Sequence, residues 1–323
     1  MRSDRTVSDK ALACLGPLYI LLLHKGLLGQ TDREESYHWE KTMSKISIGP
    51  KSIWMGLALL AGASFGCGGP EKAIEDKLNE SVLFFSNFEK GVDALWAESE
   101  GSAKGDWART RHHLNGGVVD GSVEFEKDAT ALSYNAKTTF AYSDGAWGGA
   151  VAFWMKVDVS SLEADFPEPF HIGKREGNAY PWDDAVIFLD FTKPPRALRF
   201  GCYPNKQGEI SDAMVKKHVI QVSEIGWKAE DWHHVVLVWD NFNSGKANAE
   251  WRLYIDGSEK GRKSGILMDM TWNIADLAAR FNHYKYMGQI DEIAIFGTSL
   301  TAEEAAYLHT PIRPLNILLK KRP

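Results

Sequence analysis

Two stacked antiparallel β-sheets are the fold class this sequence predicts, and three observations carry the prediction. Residues 232–262 read WHHVVLVWD, NFNSGKANA and EWRLYIDGSEKGR in turn. These are two runs of strand formers around a cluster that bonds its own backbone or accepts positive φ, so the chain reverses between them. Asp256-Gly257 follows Ile255 as the dipeptide of a type I′ turn, whose twist suits a hairpin, and a third strand over residues 258–263 is expected. Similar short runs recur along the chain between turn formers, with one capped helix near the end, a pattern of sandwiches rather than of alternating β and α units.

Taken in order, the chain opens without a domain signature. Residues 1–42 hold an apolar stretch over residues 11–23, too short for a bilayer-spanning helix of roughly 20 residues, and then the charged DREESYHWEK. They are expected to be an upstream extension outside the fold. Met43 begins a second pattern: Lys45 and Lys51, an apolar run over residues 53–65, then Gly66-Cys67 and the turn-forming GGPE. That is the plan of a bacterial secretory signal over residues 43–67. A cysteine directly after Gly66 makes it resemble a lipoprotein signal, which implies lipidation of Cys67 and an exported, membrane-anchored protein of the cell envelope. Residues 68–81 are polar and read as a tether.

The folded body is expected over residues 82–310. VLFFSNFE opens it as a strand, EKGVDALWAESEG reads as a long loop, and GGVVDGSVEFE and TALSY as short strands between turn formers. GAVAFWMKVD sets Val151, Phe153, Met155 and Val157 on one face, the alternation of a half-buried strand. Residues 160–184 contain three prolines and read as a long irregular loop, of a length that is often functional. AVIFLDF and ALRFGCY are strands on either side of TKPPR, whose prolines cannot enter a sheet interior. KHVIQVS and GQIDEIAIF complete the strands. In SLTAEEAAYLH, Thr301 and Glu304 have the spacing of a capping box at a helix start. The basic tail, residues 311–323, has no assigned role.

Composition narrows the function. A formal net charge of −6 argues against a polyanionic nucleic-acid partner. The 12 tryptophans either fill a β core or present stacking surfaces. Of Cys14, Cys67 and Cys202, only Cys202 lies in the body, so no disulfide forms within it and stability must come from burial or a bound ion.

The order of FSNFE, GAVAFWMKVD, WHHVVLVWD, WRLYIDGSEKG and YMGQIDEIAIFGTSLTAEEAAYL resembles the laminin G-like, concanavalin A-like lectin/glucanase jelly roll. The resemblance covers roughly residues 82–309. It implies two curved sheets, a concave face that binds glycans in many relatives, and a place for calcium. Lectins, adhesion modules and carbohydrate-active enzymes share such a fold, so function must be argued from the site.

A retaining glucanase of this fold sets acids at i, i+2 and i+4 on one strand face. Around Asp291 the corresponding positions are Gln289, Ile293 and Ile295, which argues against that mechanism. His233 and His234 are neighbours on a strand and should face opposite ways; as a signature of the resembling family they are expected to be structural. His112 and His113 fall in an expected loop, without a third zinc ligand at a recognisable spacing. The resemblance implies a structural calcium held by Asp291 with oxygens around Asn87 and Glu89, tying the first strand to the last. For a glycan, aromatic rings that cover sugar faces and polar groups that meet hydroxyls are expected from Trp147, Tyr180, Trp182, Asp183, Tyr203 and Asn205. The expected function is glycan or surface-ligand binding without identifiable catalytic residues; the alternative is a carbohydrate-active enzyme of the same fold, a glycoside hydrolase or polysaccharide lyase.

Overall fold

The computed structural model describes residues 69–98, 101–105, 109–173, 185–205 and 210–310, all within the unit Gly68–Pro323. The signal over residues 43–67 with Cys67, the tail, and Tyr180, Trp182 and Asp183 lie outside the described residues. Among the described residues no helix is long and apolar enough to cross a membrane.

The strands are β1 (Val82–Ser86), β2 (Trp96–Ala97), β3 (Thr110–His113), β4 (Ser122–Phe125), β5 (Leu132–Asn135), β6 (Trp147–Lys156), β7 (Glu168–Gly173) and β8 (Val186–Phe191). They continue with β9 (Leu198–Tyr203), β10 (Val219–Val222), β11 (Trp232–Phe242), β12 (Ala249–Ile255), β13 (Ser258–Ile266), β14 (Ala278–Tyr284) and β15 (Gly288–Phe296). A nine-stranded sheet runs β13-β12-β11-β6-β15-β1-β2, with β4 on β15 and β3 on β4; a six-stranded sheet runs β10-β9-β8-β7-β14-β5. All pairings are antiparallel. The expected two-sheet sandwich is therefore the fold, a concanavalin A-like jelly roll.

Alternation sorts each strand's side chains between layers. Val151, Phe153 and Met155 of β6, Val235, Leu237 and Trp239 of β11, and Leu189, Phe191 and Phe200 of the six-stranded sheet meet in one buried cluster. Trp147, Trp239, Trp251 and Trp272 all lie in it. Trp147 meets Trp239 edge-on at 5.5 Å between ring centroids and Trp272 at 5.8 Å, separations favoured by the ring quadrupole. At least these four tryptophans thus build core.

WHHVVLVWD is apolar on both faces because the nine-stranded sheet is covered on its outer side too. Ala150, Ala152, Val236, Val238 and Phe296 pack there with Leu78, Leu300, Ala305 and Leu308. These come from α1 (Pro70–Ser81) and from α4 (Ala302–His309) with its approach; α4 has both hydrogen bonds of the Thr301–Glu304 capping box. Lys77 Nζ joins the helices through Glu304 Oε1 at 2.6 Å. The segment read as a tether is thus mostly helix, because Ile74 and Leu78, one turn apart amid polar residues, find this face.

Other departures have local causes. Residues 160–184 contain β7, a fully buried strand in the sheet interior; Pro169 takes no part in its register pairs, which is how proline is tolerated there. His112 and His113 lie on β3, not in a loop. Two helices were not expected, α2 (Ala136–Thr139) and α3 (Asp212–His218), the latter capped by Ser211. β14 was not anticipated either.

Asp256 explains why WHH and DG occur together. Its Oδ2 accepts from His233 Nδ1 at 2.8 Å and its Oδ1 from the His234 amide at 2.9 Å. Burial alone would raise the Asp256 pKa, but these hydrogen bonds and the histidine charges hold it below the usual carboxylate range. His234 is fully buried, and desolvation, aided by the His309 charge, pushes its pKa down to about 3. His218 is lowered to about 4, first by burial and then by Lys217.

An unfolded histidine takes up a proton near pH 6.5, and these two do so in the fold only at about 3 and 4. Their contribution is therefore full above about pH 6.5 and is lost as pH falls towards the folded values. The free energy of urea unfolding should drop by on the order of a few kcal/mol between pH 7 and pH 4, and His234→Gln should flatten that slope. An unchanged slope in the variant would refute the assignment.

Candidate functional site

Strand alternation also decides what the outer face of the six-stranded sheet carries. Leu198, Phe200 and Cys202 of β9, Ile187, Leu189 and Phe191 of β8, and Ala279 and Phe281 of β14 point inward. Arg199, Asp190, Phe188 and Arg280 therefore point out. Register then aligns Gly201, Phe188, His171, Arg280 and Ser133 in one row across five strands, with Arg199 and Asp190 paired beside it. α3 covers one end of this face, where Met214 and Val215 pack on a cluster of Val186, Phe188, Tyr203 and Val219.

Several of the polar groups in and beside this row are buried. His171 is 0% exposed, Glu168 4% and Asp190 6%. Arg199 forms a fork with Asp190, Nε to Oδ1 at 2.8 Å and Nη2 to Oδ2. Its guanidinium lies 5.0 Å from the centroid of the Phe166 ring, and Phe166 is 41% exposed. At this edge the face offers solvent an aromatic surface backed by a charged fork whose side chains are only 16% and 9% exposed. Deeper in, His171 Nδ1 lies 2.8 Å from Glu168 Oε1, and the His171 and His283 rings stack at 4.1 Å and 18°.

A second polar focus lies where the chain ends meet. β15 shifts register between Asp291 and Ala294, and Glu292 has φ of 51°. This is a bulge, which re-aims the side chain beside it. Ile290 and Ile293 both face the core as a result, so Asp291 leaves the face that strict alternation assigns it; the one-face comparison with glucanase acids used a period that breaks here. Asp291 Oδ2 accepts from the amides of Val118 and Val119 at 2.8 and 3.2 Å, and Oδ1 from that of Glu292 at 2.7 Å. Burial pushes its pKa up to about 7 against these hydrogen bonds, with the Glu89 charge adding to the rise.

Asn87, 3% exposed, stands at the end of β1 beside Asp291's neighbours. A Cβ on Gly117 would come within 2.4 Å of Asp291 Oδ2, and one on Gly121 within 2.2 Å of the Phe88 carbonyl. Glycine at both positions lets the 117–121 loop close over the junction. Cation-binding residues implied by the fold family fit this place in two respects. Asp291 is a carboxylate strained towards protonation by burial. The Asn87 amide nitrogen is buried with no hydrogen-bond partner; turned over, the amide would present its oxygen there.

The expected ligand-binding residues fare differently. Trp147 is 6% exposed and Tyr203 2%, packed in the core and against α3, so neither has a ring face to offer a sugar. Asn205 ties two loops together, accepting from the Thr271 amide at 3.0 Å and donating to Thr271 Oγ1 at 2.9 Å. Tyr180, Trp182 and Asp183 lie outside the described residues. Cys202 is buried and free, its thiol pKa raised well above normal by desolvation, which leaves it inert. The sequence reading missed Phe166, Glu168, His171, Asp190, Arg199 and His283. Asp190 and Arg199 were signalled as single opposite charges in two adjacent apolar strands.

Residues 148–306 match the family model described as the concanavalin A-like lectin/glucanases superfamily, a laminin G-like group. No curated protein matches the chain. Among solved structures it is similar to the botulinum neurotoxin serotype D binding domain, with TM-score 0.50 and 13% identity over 73% of this chain and 52% of that one. The same figures hold for the serotype D domain in complex with N-acetylneuraminic acid. Domain 4 of an extracellular arabinanase from Geobacillus stearothermophilus, in complex with arabinotriose, covers 71% of this chain and 98% of that one at TM-score 0.46 and 13% identity. The chain spans about half the length of the neurotoxin domains. At 13% identity the likeness to the serotype D domains shows the fold alone, and here the sandwich extends beyond the matched residues through the pairing of β1 with β15.

Proposed function

We propose that the protein is a glycan or surface-ligand binding module, exported and lipid-anchored at Cys67 in the bacterial envelope, with its binding edge on the six-stranded sheet. One observation carries the reading: the exposed Phe166 ring beneath the Arg199–Asp190 fork. An aromatic face complements the apolar side of a sugar, and a forked pair of charges meets hydroxyls or a carboxylate. Tyr180, Trp182 and Asp183 enter this reading as its sequence-derived contacts. A calcium ion at Asn87, Glu89 and Asp291 would supply charge compensation for a buried carboxylate and fasten the first strand to the last. The buried Glu168–His171 pair on the same face favours a second reading, a carbohydrate-active enzyme.

Binding is tested on an array of neutral and acidic glycans, including N-acetylneuraminic acid. The wild type should bind at least one class, and Phe166→Ala, Arg199→Ala and Trp182→Ala should each weaken it about tenfold or more. Silence across the array, or binding indifferent to all three changes, sinks the reading; release of reducing sugar or unsaturated product from bound polysaccharide selects the enzyme instead. Millimolar Ca2+ should raise the thermal midpoint of the wild type and leave Asp291→Asn unmoved, and an equal response in both excludes the calcium site. Mass spectrometry of the mature protein should find an acylated Cys67 at the N-terminus; an unmodified or different terminus rejects the anchor.

A further inference from the structure

Among the described residues, Glu168, His171 and His283 form the one group of three potential ligands whose donor atoms all lie within 4.8 Å of one another. We propose that they bind a divalent transition ion of the zinc class. This does not depend on glycan binding or on calcium at Asp291.

Two imidazoles and one carboxylate are a nitrogen-rich set that suits zinc rather than calcium, and three protein ligands leave a fourth position for a solvent or ligand oxygen. One of the three contacts is a hydrogen bond, which a bound ion would replace. His171 Nδ1 is 2.8 Å from Glu168 Oε1, a hydrogen bond, but His283 Nε2 stands 3.9 Å from Oε2, beyond hydrogen-bond reach. Two ligands of a tetrahedral zinc at about 2 Å each sit about 3.3 Å apart. The two contacts use different carboxylate oxygens, so Glu168 must turn as well as shift by roughly half an ångström to present one oxygen to an ion shared with both imidazoles.

The backbone prepares the set. Asn282, with φ of 56°, sits at the register shift of β14 and brings His283 beside His171; the rings stack at 4.1 Å, so one imidazole must rotate out of the stack for both nitrogens to face a single ion. Asn282 is itself fixed, donating to the Ala129 carbonyl at 3.0 Å and accepting from the Tyr286 amide at 2.8 Å. An ordinary buried His–Glu pair requires only β7; the second imidazole requires this bulge.

The full chain, stripped with chelator, is titrated with Zn2+ and, separately, with Co2+. One equivalent of Zn2+ should bind, Co2+ should give the intense visible bands of a tetrahedral site, and His171→Ala and His283→Ala should each bind at least about a hundredfold more weakly. His283→Gln, which keeps much of the side-chain volume at a largely buried position, serves where far-UV circular dichroism shows an alanine variant unfolded. Asp291→Asn should bind Zn2+ like the wild type. Absence of stoichiometric Zn2+ in the wild type, or undiminished binding in the folded histidine variants, overturns the proposal.

Discussion

Antiparallel pairing of β1 with β15 is the constraint on which the rest of the molecule depends. Phe84 lies opposite Ile295 and Ser86 opposite Ile293, so the first and last strands of the sandwich are neighbours in the larger sheet, with only the short β2 beyond β1. Closing a loop that long costs on the order of 5 kcal/mol by the logarithmic scaling of chain closure. Phe84, Phe85, Ile293 and Ile295 are each completely buried, and such side chains contribute about 1.5–3 kcal/mol apiece. Burial therefore outweighs closure without a disulfide. The outer helices act in the same sense, since α1 precedes β1, α4 follows β15, and the two join through Lys77 and Glu304.

The strands that were legible in the sequence share one property: their faces differ in a simple alternation or are both apolar. β6, β11 and β12 could be read from residue order alone, and Asp256-Gly257 fixed the turn between β12 and β13. The tryptophans could be counted but not placed, because a core ring and a binding platform have the same composition. β7 and the helix α1 were hidden by proline and by polarity. EPFHIG contains Pro169 and two polar residues, and only the sheet on either side of it makes a strand of them.

In each polar focus one residue, Asp291 or His283, escapes period-two reasoning for a common reason. Period-two reasoning assigns a side chain to a face by parity, and a bulge reverses parity from that point on. Asp291 precedes a residue of positive φ, Glu292, and His283 follows one, Asn282. Asp291 was singled out through a family resemblance, whereas His283 had no such support and lay far in sequence from Glu168 and His171. Asparagine tolerates the left-handed region better than most residues, but an isolated asparagine is too common to announce a bulge.

The two outer faces of the sandwich then differ in a way packing alone does not require. On the nine-stranded sheet, Leu78, Leu300 and Leu308 meet an apolar surface, and nothing charged is needed at its centre. On the six-stranded sheet the equivalent centre carries Glu168, His171, Asp190 and Arg199. Desolvating such groups costs more than a matched set of apolar side chains would, and ion pairing recovers that cost only in part. A sheet that can be capped by leucines on one side has no structural need for a buried charge network on the other. That asymmetry is the reason the proposed ligand and zinc-class ion sites are placed on the six-stranded side.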